Sequence, residues 1–362
     1  MKIVQILPEL NEGGVEYDVL ELNRELSKRG YESLVISNGG KLLSQIVSDG
    51  GEHIQVDVCS KNPLTAFFRV LKLKKVLKGM HPDIVHVRSR VPAWLVYFAN
   101  RSLQLKVVST VHGFNSVNVY SSIMTKAEKV ICVSGSVKAY IQKHYKIDNE
   151  KIEVFSGGID TKRFDPTKID KTFVKEFKNR YALHDKLIIS SVGRVTQLKD
   201  YATFIRAIHI LKKEVIDVVG LIVGGVREDK NEYHKSLLNL IEELNLADNI
   251  IFTGSQTKMP EIYHSSGVVV SSSKKPESFG RSVGEAISVN TPVVASNHGG
   301  VKDIIIEGQH GYFFEVGDYR GLAHKIMLAK DLKVDGFEYI DKHFSLDHSV
   351  DKMICEYIKM AD

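Results

Sequence analysis

Two glutamates, Glu277 and Glu285, stand eight residues apart in the stretch PESFGRSVGEAISVNTPVVAS. On one continuous helix that spacing is slightly over two turns, and both could share a face. Pro276 and the Ser278-Phe279-Gly280 run read instead as a loop entering a helix, which puts Glu277 in the loop and Glu285 on the first turns. Such a place is a helix N-terminus with open backbone N–H groups, flanked by two acceptors. It can hold phosphate while the carboxylates grip hydroxyls.

Other residues could join this chemistry. Arg194 and Lys199, in GRVTQLK, follow an apolar strand. Two cations at a strand's carboxyl end can clamp a diphosphate, Arg as a fork and Lys as a point charge. A solvated helix start accounts for Lys199 well and for Arg194 less well. Gly224 ends the next strand and brings bare backbone to the same edge, and the pair Gly13-Gly14 does so in the first half, where a plain strand-to-helix turn competes. His112, in STVHGF, directly follows a strand and is placed to face a ligand; a structural, hydrogen-bonded histidine is the level alternative. Arg88, Arg90 and Trp94, in DIVHVRSRVPAW, suit a carboxylate or phosphate and a sugar face, or simply cap the sheet and helix. No two aspartates stand two apart, and no HxxH or CxxC occurs. A tightly chelated metal is therefore not expected, Arg194 and Lys199 being its replacement. The serines and cysteines lack a nucleophile-elbow context, which disfavours covalent catalysis through them.

The elements that must position these residues form a repeating pattern. KIVQIL, ESLVIS, DIVHV, LKVVST and KVICVS read as buried strands; VEYDVLELNRELSKRG and AFFRVLKLKKVLKG read as amphipathic helices between them. The pattern repeats with KLIISSVGRV, DVVGLIVGG, NIIFTG, GVVVSSS and PVVAS. Parallel strands joined by helices are the doubly wound α/β arrangement. A chain of 362 residues exceeds what one core usually serves. Gly, Asp and Pro in FSGGIDTKRFDP mark a linker, giving domains at 1–160 and 161–345, with the amphipathic segment 346–362 returning to the first. A ligand cleft facing the carboxyl ends of both sheets is the expectation.

Hydrophobic content of 43% and charged content of 26% are those of an ordinary soluble protein. The N-terminal apolar run is too short for a signal peptide, and three scattered cysteines fit free thiols, so a cytoplasmic location is expected. Residues 1–160 hold 21 Lys and Arg against 16 Asp and Glu, whereas the remainder balances at 28 each. A basic half attracts nucleic acid, anionic membrane or an acidic substrate. No nucleic-acid motif is present, which leaves the latter two. Arg69, Lys72, Lys74, Lys75 and Lys78 share one helix with Phe67, Phe68, Val70, Leu71, Leu73, Val76 and Leu77. Such a helix can lie on an anionic membrane, the plainer reading being a surface helix covering its sheet.

Taken together, GG at 13, HG at 112, Arg194 with Lys199, Glu277-SFG-x4-Glu285, TPVVAS and GGVKDII resemble a retaining glycosyltransferase of family 4 with the GT-B fold. The likeness spans nearly the whole chain in the expected order. It implies that Glu285 holds the ribose hydroxyls of a sugar nucleotide, that Glu277 sits near the donor sugar, and that Phe279 and Gly280 offer it backbone amides. Arg194 and Lys199 would neutralise the diphosphate leaving group, with no further cofactor. Asn290 and Asp303 depart from the family's usual glycine and glutamate. SRxPAW, HGF and VYSSIM resemble bacterial transferases that extend the lipopolysaccharide core, including those adding mannose to Kdo. This implies an anionic glycolipid acceptor at the cytoplasmic membrane face, Arg88, Arg90 and Trp94 on the acceptor side, and GDP-mannose or a UDP-hexose as donor. A non-hydrolysing nucleotide-sugar epimerase shares the architecture and is the alternative; an inactive scaffold is a third.

Overall fold

Continuous apolar strands buried on both faces can be satisfied only in a sheet covered on both sides. The computed structural model describes residues 1–11, 13–214, 217–226 and 231–362, and it holds two such sheets. They belong to two units, Met1–Gly158 with Leu346–Asp362, and Ile159–Ser345.

The first unit has seven parallel strands: β1 (Lys2–Ile6), β2 (Glu32–Ser37), β3 (Glu52–Gln55), β4 (Ile84–Val87), β5 (Lys106–Val111), β6 (Lys129–Cys132) and β7 (Ile152–Val154). Their order is β3-β2-β1-β4-β5-β6-β7. The second has β8 (Leu187–Val192), β9 (Val218–Val223), β10 (Ile250–Gly254), β11 (Val268–Ser271), β12 (Val293–Ser296) and β13 (Gly311–Phe314), ordered β10-β9-β8-β11-β12-β13. Both are doubly wound. In each, the strand order reverses once, between β1 and β4 and between β8 and β11, which opens a crevice at those carboxyl ends. The strands that the apolar pattern does not announce, β3, β7 and β13, lie at sheet edges and are short; β3 and β7 also carry Glu52 and Glu153, as exposed edges tolerate.

The terminal helix Leu346–Ala361 belongs to the first unit. Its buried Leu346, Val350, Met353, Ile354 and Tyr357 pack with Ile3, Ile84, Val108 and Ile131 of the sheet. A polar pin fixes its register. His86, fully buried in the middle of β4, meets the Tyr357 hydroxyl at 2.6 Å through Nδ1 and Thr110 Oγ1 at 2.6 Å through Nε2.

The helix Ala66–Met80 does not turn its aromatic residues to the sheet. Leu73 and Leu77 are buried with Arg69, while Phe67, Phe68 and Leu71 face solvent. Arg69 is therefore no part of a cationic face; its guanidinium donates to the carbonyls of Ser60 at 2.6 Å and Asn62 at 2.7 Å.

Removing the Tyr357 hydroxyl leaves a buried imidazole nitrogen without a partner. Tyr357→Phe should destabilise the fold by about 1–3 kcal/mol, read from urea unfolding midpoints. A variant as stable as the parent would show that the pin contributes nothing.

Candidate functional site

At the β8–β9 edge, bare backbone meets backbone. A side chain at Gly224 would collide with the Gly193 carbonyl, and Tyr201 donates to that same carbonyl at 2.6 Å. The requirement for glycine at 224 thus arises inside the protein, where the ends of β8 and β9 close on each other. Arg194 follows Gly193, is exposed, and is unpaired among the described residues.

Lys199 is not free in the same way. Its ammonium lies 2.5 Å from Glu277 Oε1. Ser273, just beyond β11, donates to the same oxygen at 2.5 Å. The pair spans the strand-order reversal between β8 and β11. Burial alone would raise the Glu277 carboxyl. The Lys199 charge, the hydrogen bonds from Lys199 and Ser273, and His298 nearby more than offset this, so the group titrates below the ordinary carboxylate range.

What seats Glu277 is the glycine pair Gly299-Gly300 after β12. Gly299 takes a left-handed backbone, φ 74°, and a Cβ there would lie 2.5 Å from the Glu277 carbonyl oxygen. A Cβ on Gly300 would lie 2.5 Å from the Ser278 carbonyl, and the Gly300 amide donates to the Glu277 carbonyl at 2.7 Å. His298, beside them, donates through Nε2 to the Ser273 carbonyl at 2.8 Å. Ser273, His298, Gly299 and Gly300 are positioning residues that spacing did not single out. The signal was present in SNHGG, as two adjacent glycines after a strand.

Gly280 caps the helix Arg281–Ser288, whose second turn carries Glu285. Ser278 is half-buried in the entering loop, and the Phe279 ring is buried in the core, 6.1 Å from Phe344. Any ligand contact from Phe279 therefore comes from its backbone. Glu285 accepts from the Tyr263 hydroxyl at 2.9 Å and pairs with Arg281 at 3.5 Å. Burial raises its carboxyl above the usual range, and Arg281, Tyr263 and Arg163 only partly counter it. Glu277 and Glu285 thus share a loop-and-helix unit but occupy different electrostatic settings. Asn290, the departure from glycine, takes φ 61°, and its side chain accepts from the Gly336 and Phe337 amides at 2.9 and 3.2 Å. Asparagine suits a left-handed position, so the change is structurally neutral.

In the first unit, Gly13 precedes the helix Gly14–Lys28, and the Glu16 carboxylate folds back over Gly13. Gly14 has open space around it. His112 stands just past β5 with Nε2 buried and without a partner among the described residues. Burial holds its pKa at about 4; Asp18 pulls it up and Arg88 pushes it down. Its imidazole is neutral at pH 7, with an unmet nitrogen. Arg88 is not the exposed anion clamp expected from the sequence. Only 2% exposed, it bonds Gln5 Oε1 at 2.7 Å, Asp18 at 2.9 Å and Thr110 at 3.3 Å. The reason is its place directly after buried β4, where a guanidinium must find all its acceptors within the protein. Arg90 lies over the Tyr120 ring at 5.4 Å and bonds Ser121 at 3.2 Å. Trp94 is half-buried, donates to the Tyr120 carbonyl at 3.0 Å, and lines a groove of about 350 Å³ with Ser60, Lys61, Pro63, Ala66 and Tyr120.

Two titrations check this geometry. In Lys199→Ala, Glu277 keeps its burial and loses its nearest cation, so its carboxyl midpoint, read by carbon NMR, should move upward; an unchanged midpoint would sink the pairing. His112 is neutral when folded and protonates near pH 6.5 when unfolded. Its folded pKa is depressed, so its contribution to stability is full above about pH 6.5 and is lost as pH falls towards 4. His112→Gln should flatten the slope of the unfolding midpoint between those values.

Known proteins share this architecture. A glycosyltransferase from Rickettsia africae is 29% identical, with a TM-score of 0.91, covering 99% of this chain and 98% of that one. The N-acetyl-alpha-D-glucosaminyl L-malate synthase of Bacillus anthracis is 27% identical over 86% of this chain and 83% of its own length. The lipopolysaccharide core biosynthesis mannosyltransferase LpsB of Rhizobium meliloti is 28% identical over 82% of this chain and 84% of its own. The model described as Glycosyltransferase Family 4 matches residues 12–163, and that described as Glycosyl transferases group 1 matches residues 173–335. The two models match successive parts of the chain, which is a glycosyltransferase with the GT-B fold.

Proposed function

We propose that the chain transfers a hexose, with retained anomeric configuration and without a metal ion, from a nucleotide sugar to an anionic lipid-linked acceptor. The observation that carries the reading is the Lys199–Glu277 pair at the strand-order reversal, with Arg194 exposed five residues earlier in the chain. Transfer leaves a nucleoside diphosphate, and two cations at strand ends neutralise the charge that develops on it. Glu277, ionised because Lys199 holds it so, accepts from sugar hydroxyls through Oε2, since Oε1 already takes two bonds. Glu285 accepts from the ribose. His112 brings a neutral imidazole to the sugar. Gly13 and Gly14 leave backbone open for close approach.

The acceptor is anionic on two grounds. The excess positive charge lies within residues 1–160, and Arg90 and Trp94, at the start of one helix, both contact Tyr120. One relative's name couples a sugar to L-malate, a dicarboxylate, and another's places it in the lipopolysaccharide core. Mannose to the inner core, from GDP-mannose, is the specific assignment, at the cytoplasmic face of the membrane.

A donor screen against Kdo-lipid A tests this. Product mass names the sugar, the anomeric coupling constant reports retention, and EDTA should leave the rate intact. Donor incubated alone should stay unconverted, since an epimerase would interconvert it. Arg194→Ala should lower kcat/KM by about 10²–10³ with an unchanged unfolding midpoint, because the side chain is exposed. Parental kcat/KM would remove Arg194 from the reaction. Efficient extension of a neutral soluble sugar, with none on Kdo-lipid A, would overturn the acceptor.

A further inference from the structure

Helices of a doubly wound unit normally turn their apolar residues to the sheet. In the helix Ala66–Met80 the buried set is Arg69, Leu73 and Leu77, spaced four apart along one face. Phe67, Phe68 and Leu71 lie off that face and are 65%, 70% and 47% exposed, and Leu64, just before the helix, is 84% exposed. The next helix, Arg90–Asn100, packs against this one and adds Tyr97 and Phe98, also exposed. Phe98 stacks on Trp94 at 5.7 Å and is covered by Arg101 at 5.3 Å. Exposed aromatics grouped on two neighbouring helices mark a surface that meets something apolar.

The loop bearing Leu64 is held in place. Arg69, buried, donates to the carbonyls of Ser60 and Asn62 and to Thr65 Oγ1 at 3.3 Å, and Asn62 Oδ1 accepts from the Leu64 amide at 2.9 Å. Leu64 and the phenylalanines thus stand on a braced corner. Farther along the helix, Lys72, Lys75 and Lys78 are exposed. Residues 58–127 contain eleven lysines and arginines and a single acid, Asp83.

We propose that this face docks on an anionic lipid bilayer, with Leu64, Phe67, Phe68 and Leu71 entering the interface and Lys72, Lys75 and Lys78 meeting the headgroups. An apolar tip followed by lysines along one helix matches the profile of a bilayer interface, where apolar side chains reach the acyl boundary and cations stay at the phosphates. The exposed Lys72, Lys75 and Lys78 give the charge complementarity that anionic lipid requires. A second copy of the chain fits poorly, because pairing this face with itself would set the lysines of each copy against the lysines or the apolar tip of the other. The surface deepens the lipid-linked acceptor reading and rests on it for its purpose, but it is measured without any transfer reaction.

Sedimentation with vesicles of phosphatidylcholine alone, and of equimolar phosphatidylcholine and phosphatidylglycerol, tests it. The parent should bind the anionic vesicles and release them in high salt, and Trp94, the sole tryptophan, should report contact as a fluorescence change. Phe67→Glu with Phe68→Glu should weaken binding by about tenfold or more. Lys72→Glu with Lys75→Glu should weaken it comparably and reduce its salt dependence. All four residues are exposed, so thermal midpoints should match the parent and confirm folding. Absence of parental binding at low salt, equal binding to both vesicles, or variants that bind like the parent would each overturn the proposal. So would a dimer in solution that dissociates in the phenylalanine variant. Transfer to a water-soluble Kdo acceptor in the absence of vesicle binding would overturn the surface and leave the acceptor reading standing.

Discussion

A carboxylate among strand ends stays ionised only if a cation answers it, and Glu277 is answered by Lys199. The two come from chain segments far apart in sequence, one after β8 and one after β11. They meet because those strands are neighbours at the point where the sheet's order reverses. Everything else around the second sheet serves that meeting. Gly224 lets β8 and β9 end together, Gly299 and Gly300 let the 276–279 backbone lie directly on theirs, and Ser273 and His298 fix which way the carboxylate points. A pair with 28% and 24% side-chain exposure is also reachable from solvent.

The first unit solves a related problem with a buried arginine instead of an exposed one. Arg88 ties β1 through Gln5, the first helix through Asp18 and β5 through Thr110. Thr110 passes the network to His86 and so to Tyr357 of the terminal helix. A buried charge of this kind is costly to leave unpaired, which makes the network all-or-none. Burial keeps His112 neutral, with Asp18 raising and Arg88 lowering its pKa, so the imidazole at the end of β5 carries a buried nitrogen without a partner among the described residues rather than a charge.

Much of this was legible from residue order. Apolar runs of five or six residues announce the central strands, because a parallel strand buried on both faces has no polar alternation to hide in. Glu277 in a loop and Glu285 in the following helix were readable because proline and glycine punctuate chain direction locally. The edge strands were not, since a three- or four-residue strand with one polar face looks like a loop until a neighbour pairs with it. The amphipathic pattern of 66–80 was visible, but not which face would be covered. Five cations and several large apolar residues on one helix are compatible with either orientation, and packing against the sheet chose Leu73 and Leu77.

The sequence by itself determined the two parallel α/β units, the direction of each strand's carboxyl end and the residue types delivered there, because these follow from periodicity and local backbone preference. Only the tertiary structure decided which of those residues touch. It moved Arg88 from ligand contact to the interior, since a guanidinium after a fully buried strand must be satisfied from within. It joined Lys199 to Glu277 across 78 residues of chain, and gave the glycine pair at 299 and 300 its purpose. Contacts of that range are set by strand order, and strand order is a property of the assembled sheet.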